Sequence, residues 1–137
     1  MRRRLAAARD EARRAAEARR ERSSEAQRAY AVFLEGIAVP VGRMVAMALK
    51  ADGYPFTVAT PGDGLRLTWD RGREDSIEIA LDTAADPPEV VGRTSYARGS
   101  RTVTEERAVK PGAPPESITE EDFLEFLVQA LEPWLQR

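Results

Sequence analysis

Residues 55–82 read PFTVATPGDGLRLTWDRGREDSIEIALD, and apolar and polar residues alternate in three segments of this stretch. A period of two places every second side chain on the same face of a β-strand. We therefore predict antiparallel strands at about 55–60, 65–70 and 76–82, joined by turns at PGDG and RGRED, with one face in the core and one in solvent. The residues predicted to face the core are Phe56, Val58, Leu65, Leu67, Trp69, Ile77, Ile79 and Leu81.

Residues 89–109 extend this pattern as a long hairpin with strands at 89–98 and 101–109. Gly99-Ser100 has the Gly-X sequence of a two-residue type II′ turn. This turn sets the register, which places Arg98 opposite Arg101, Tyr96 opposite Val103, Thr94 opposite Glu105, and Arg93 opposite Glu106. In that register Val90, Tyr96, Val103 and Val109 face the core, and Arg93 pairs with Glu106 on the other face.

Helices are predicted on both sides of the strands. An apolar stripe (Tyr30, Leu34, Ile37, Val41, then Met44 or Val45, and Ala48) predicts a helix over 25–52, which Gly53 ends. We expect Tyr30, Met44 and Met47 to pack in the core, and Pro40 to kink or break the helix. Thr119 and Asp122 predict the start of a second helix, 119–135. The sequence thus predicts an α+β fold: a long N-terminal helix, a five-stranded antiparallel meander in sequential order, and a C-terminal helix, forming a two-layer sandwich.

The N-terminal arm (residues 1–23) is expected to be helical and basic, and residues 24–137 to form one domain. Residues 1–24 contain nine Arg and four acidic residues, a net charge of +5, whereas residues 25–137 carry −7. The arm contains no Gly or Pro and is rich in Ala, Arg and Glu, which favour helix.

Three interpretations of the arm remain open from the sequence. A heptad frame, which Arg19 and Arg22 interrupt, favours packing against a copy of the chain or another protein. The residues of this predicted interface are Leu5, Ala8, Ala12, Ala15, Ala26, Ala29 and Phe33. Nucleic-acid binding is less favoured, because four acidic residues interleave with the arginines and no aromatic residue lies in residues 1–24. It would use Arg2, Arg3, Arg4, Arg9, Arg13, Arg14 and Arg20. The third interpretation is a solvated helix, and the basic arm could also dock on the acidic body of the same or a neighbouring chain.

The composition argues against most enzyme classes. The chain has no Cys and no His, which removes thiolate nucleophiles and the commonest general base and metal ligand. No nucleotide-binding or hydrolase motif is present, and the carboxylates at positions 63, 70, 74, 75, 82 and 86 are typical of turns. The apolar stretch 36–49 is shorter than a membrane span and contains Arg43.

We therefore predict a cytoplasmic, non-enzymatic interaction module without cofactor, metal or membrane contact. Its expected partner is a copy of itself or another protein. The alternatives are a nucleic-acid-associated protein and a chaperone or adaptor for another protein.

Overall fold

The chain forms a two-layer α+β fold in which helices cover one face of a five-stranded antiparallel sheet, as the sequence predicts. The computed structural model describes residues 1–71 and 74–136, so the predicted RGRED turn lies partly outside the described residues. The elements are α1 (Arg2–Phe33), α2 (Val39–Ala51), β1 (Phe56–Ala59), β2 (Leu65–Trp69), β3 (Ser76–Asp82), β4 (Glu89–Arg98), β5 (Arg101–Ala108), α3 (Glu120–Ala130) and α4 (Glu132–Leu135).

The sheet has the sequential order β1-β2-β3-β4-β5, and the predicted hairpin register is confirmed. Tyr96 lies opposite Val103, and Gly99 adopts a φ of +66° at the turn, a conformation that glycine reaches without strain. On the solvent face Arg93 Nη2 donates to Glu106 Oε2 at 2.9 Å, as the register requires.

A π-helical turn, Leu34–Ala38, joins α1 to α2 and explains how a helix accommodates Pro40. In a regular α-helix the Pro40 ring would clash with the Gly36 carbonyl. The wider turn before Pro40, in which the Val39 N–H donates to Leu34 O, avoids this clash. The helix is therefore not broken near Pro40: a π-turn accommodates the proline, and the helical path continues from Arg2 to Ala51.

The π-turn changes which residues of α2 face the sheet. It inserts one extra residue, and each residue rotates a helix by about 100°. The inward stripe consequently moves one position along, so that Val45 and Leu49 are half-buried. Met44 and Met47 are 65% and 75% exposed, and the prediction that both methionines lie in the core was wrong. Ala48, also predicted on the inward stripe, is exposed for the same reason.

Aromatic residues join the helical layer to the sheet. Tyr30 is buried as predicted, and the Phe33 ring meets the Phe123 ring edge-on at 5.6 Å between centroids. The Phe126 ring of α3 lies directly over Gly92 of β4, where an added Cβ would overlap the ring. Gly92 therefore allows α3 to approach the sheet closely.

The start of α3 is a capping box, as the Thr119 prediction implies. The Asp122 N–H donates to Thr119 Oγ1 at 3.1 Å, and the Thr119 N–H donates to Asp122 Oδ2 at 3.0 Å. The Thr119 N–H and the Lys110 ammonium, 3.0 Å from Oδ2, hold the pKa of Asp122 below its usual value. The helix breaks at Leu131 and restarts as α4 with Pro133 in its first turn.

Candidate interaction surface

The N-terminal arm extends from the body as part of one continuous helix. Arg22 makes the first ion pair between α1 and the rest of the described chain, with its Nη2 at 3.2 Å from Asp86 Oδ2. Ser23 and Ser24 lie inside the helix, so α1 does not restart there. The residues before Arg22 span about 30 Å at 1.5 Å per residue.

The residues predicted as an oligomer interface divide into two groups. Leu5, Ala8, Ala12 and Ala15 are exposed along the arm. Further along the same heptad frame, Ala26 and Ala29 are half-buried and Phe33 is buried in the protein's own core. The stripe on the arm therefore continues the side of α1 that packs on the sheet, but it extends beyond the sheet and is uncovered.

The arginines predicted to contact an anion all lie exposed on the arm, and Arg13 forms an ion pair with Asp10 at 3.3 Å. Arg2, Arg3 and Arg4 occupy the first turn of α1, where no acidic side chain is present. The positive end of the helix dipole adds to their charge at this end of the arm. The remaining members of this set are Arg9, Arg14 and Arg20.

Exposed large apolar side chains lie on the helices. On the α2 outer face (Met44 and Met47 of α2, with Val32 at the end of α1) the exposed fractions are 65%, 75% and 73%. The neighbouring charged residues on α2 are basic, Arg43 and Lys50. Large apolar side chains left in water are a feature of protein interaction sites.

A second exposed apolar stripe follows the α3 outer face, whose members recur at helical spacing. They are Glu121, Leu124, Glu125 and Val128 of α3, with Glu132 and Leu135 of the following α4. Leu124 is 44% and Val128 52% exposed. The three glutamates have no ion-pair partner among residues 1–71 and 74–136, and residues 111–136 contain no Lys or Arg. This surface is therefore apolar in the middle and acidic at its edges.

Asp75 is a buried polar residue that sequence reasoning had placed among ordinary turn carboxylates. It is 3% exposed, and its Oδ2 accepts a 3.0 Å hydrogen bond from the Trp134 Nε1–H. Its Oδ1 accepts from the Ala97 N–H at 3.0 Å. Asp75 thus ties α4 to the sheet. The buried Trp134 is the one sequence signal that could have indicated a polar partner, because an indole N–H in a core needs an acceptor.

A cavity of about 790 Å³ lies between α1 and the ends of β2 and β3. Its polar lining includes Arg66 and Glu78, which pair with each other at 2.8 Å. Burial, together with the negative charge of Asp63, raises the pKa of Tyr30 to about 12. The Tyr30 hydroxyl therefore stays protonated near neutral pH and donates a long hydrogen bond, 3.4 Å, to Ile79 O.

A second cavity, of about 660 Å³, lies between the β4–β5 tip and α4 and is lined by Arg98, Arg107 and Glu132 among others. In the described part of the chain, no three Asp or Glu side chains converge as a metal site would require. Two other carboxylates predicted in turns make local contacts: Asp70 accepts from Thr57 Oγ1 at 2.7 Å, and Asp82, at the end of β3, accepts from the Ala84 N–H at 3.0 Å.

By length and composition alone, the described segment Arg2–Ala51 is a helix that could cross a membrane. A core helix packed on a sheet passes the same test, and Val41 and Ala46 of α2 are buried in this way.

No protein-family pattern, curated protein or solved structure matches the chain.

Proposed function

We propose that this protein is a non-enzymatic interaction module that assembles with copies of itself through its helices. The observation that carries the proposal is the position of its exposed large apolar side chains. Seven of them, Leu5, Val32, Met44, Met47, Leu124, Val128 and Leu135, belong to helices, and no strand of the described residues carries one.

Burial of these side chains would favour association, because apolar surface removed from water contributes about 25 cal/mol per Å². The solvent face of the sheet offers less. Its central residues are charged, and Arg66–Glu78 and Arg93–Glu106 already form ion pairs within one copy. The helical layer is therefore the better surface for a second copy.

Light scattering after size exclusion tests the proposal on the full chain. A concentration-dependent mass that approaches twice 15.2 kDa supports it. Mixed assembly between two differently tagged copies is the second expected result. A monomer at every concentration contradicts it.

Nucleic-acid binding is the second candidate, favoured by the set of exposed arginines on a helix that extends away from the acidic body. Affinity for DNA or RNA should then fall steeply with salt, because each phosphate contact releases counterions. Substitution of Arg3 and Arg14 by Gln should reduce the slope of log affinity against log salt, whereas the matched pair Arg66→Gln with Arg93→Gln on the sheet should not. Unchanged slopes would exclude this use of the arm.

A further inference from the structure

Charge distinguishes the two exposed apolar surfaces of the helical layer as docking sites for an arginine-rich helix. The α2 outer face is next to Arg43 and Lys50, with Glu35 as the acidic neighbour of Val32, so basic residues outnumber acidic ones there and disfavour the arm. The α3 outer face carries Glu121, Glu125 and Glu132 beside its apolar stripe. Opposite charges at the edges of two apolar stripes set both partner choice and register.

The arm presents the complementary pattern. Its stripe runs through Leu5, Ala8, Ala12 and Ala15, all exposed. In the heptad frame Arg2, Arg4 and Arg9 flank this stripe, with Glu11 as the single acidic neighbour, whereas Asp10 and Glu17 lie on the opposite side of the helix. The side of the arm that is apolar is therefore also the side on which positive charge dominates.

The two stripes also match in shape. Leu5 to Ala15 covers about 15 Å at 1.5 Å per residue, whereas the outer stripe covers about 6 Å of α3 from Leu124 to Val128 and continues with Leu135 on α4, beyond the break at Leu131. Alanines leave room for close helix approach, so the larger Leu124 and Val128 side chains can insert between them. The arm cannot reach its own α3, because α1 is one uninterrupted helix through Phe33.

We propose that the arm of one copy docks on the α3 outer face of a second copy, with Leu5, Ala8, Ala12 and Ala15 against Leu124, Val128 and Leu135, and arginines beside glutamates. The inference rests on the proposed self-association and names the surfaces that produce it. Exchange of two arms between two copies buries both stripes twice and brings the basic arm onto the acidic body.

A charge-swap experiment on the full chain tests this docking. One variant reverses α3 (Glu121→Lys with Glu125→Lys), and the other reverses the arm (Arg4→Glu with Arg9→Glu). Each alone places like charges together and should weaken its own assembly at least tenfold. An equimolar mixture places opposite charges at both contacts, so the mixture should regain the wild-type assembly constant.

The matched control is Glu25→Lys with Glu35→Lys, which makes the same charge change at exposed positions elsewhere on the helical layer and should assemble like the wild type. Circular dichroism verifies that each variant is folded. If the wild type assembles but neither reversal weakens it, or the mixture does not recover, the docking is wrong while self-association stands. If the wild type stays monomeric, the proposed function itself fails.

Discussion

Replacement of Gly92 by Ala should destabilise the protein by about 2 kcal/mol, because the Phe126 ring occupies the space that a Cβ needs. The added carbon would overlap Cζ and lie 2.7 Å from Cε1 of that ring, closer than real Cβ contacts come. The ring has little room to move. It stacks on Phe123 at 6.4 Å between centroids, and the Arg107 guanidinium lies 5.1 Å from its centre.

Two estimates of the cost agree. Insertion of one extra carbon into a packed core typically costs about 1–3 kcal/mol. Expulsion of the ring instead would forfeit the burial of a Phe side chain that is now 4% exposed, about 1.5–3 kcal/mol. Urea denaturation followed by tryptophan fluorescence measures the free energy of unfolding, and the midpoint should fall by about 1 M for a typical slope.

Two further variants make the result specific. Gly36→Ala changes a glycine of the π-turn where an added Cβ meets nothing within 4 Å, so it should be neutral or stabilising by up to about 1 kcal/mol. In a Phe126→Leu background, which shortens the side chain, the cost of Gly92→Ala should fall by about 1 kcal/mol or more. A Gly92→Ala protein as stable as the wild type, or an equal cost in both backgrounds, would refute the close approach of α3 to β4.

Three other predictions concern polar contacts. Asp75→Asn leaves the N–H of either Trp134 or Ala97 facing an NH₂ group instead of an acceptor. The free energy of unfolding in urea should therefore fall by about 1–3 kcal/mol. An unchanged midpoint would contradict the buried hydrogen bonds. Thr119→Ala removes the helix cap and should cost about 1 kcal/mol, whereas Thr119→Ser should restore most of it. The pKa of Tyr30 is raised from 10.0 to about 12, so the unfolded chain ionises first and stability should fall between these pH values. Tyr30→Phe should lessen that fall, and equal pH profiles for the two proteins would count against the raised pKa.

The predictions that succeeded depend on contacts between close neighbours. Alternation in residues 55–82 reveals a half-buried sheet because a strand has a period of two. Gly99 sets the β4–β5 register, and Thr119 with Asp122 marks the start of α3, since both depend on side chains within a few residues of one another.

The candidate interaction surfaces could be predicted only in part from the sequence. The basic arm and its Leu5–Ala15 stripe could be read from composition and heptad spacing, whereas the exposure of that stripe could not. Met44 and Met47 could not be placed, because the π-turn Leu34–Ala38 rotates α2 and turns both side chains to solvent. The apolar pattern of a helix assumes regular spacing, so it does not reveal where a π-turn inserts one extra residue.

The sequence alone therefore determined which elements form and in what order they pair, because hydrophobic period, turn chemistry and capping act locally. Only the tertiary structure decided which side of α2 faces the sheet and which residues distant in sequence meet. Asp75 meets Trp134 across 59 residues, and Arg22 meets Asp86 across 64. Such contacts depend on the accumulated rotation of every helix and strand between the two partners, so they emerge only when the whole chain has packed.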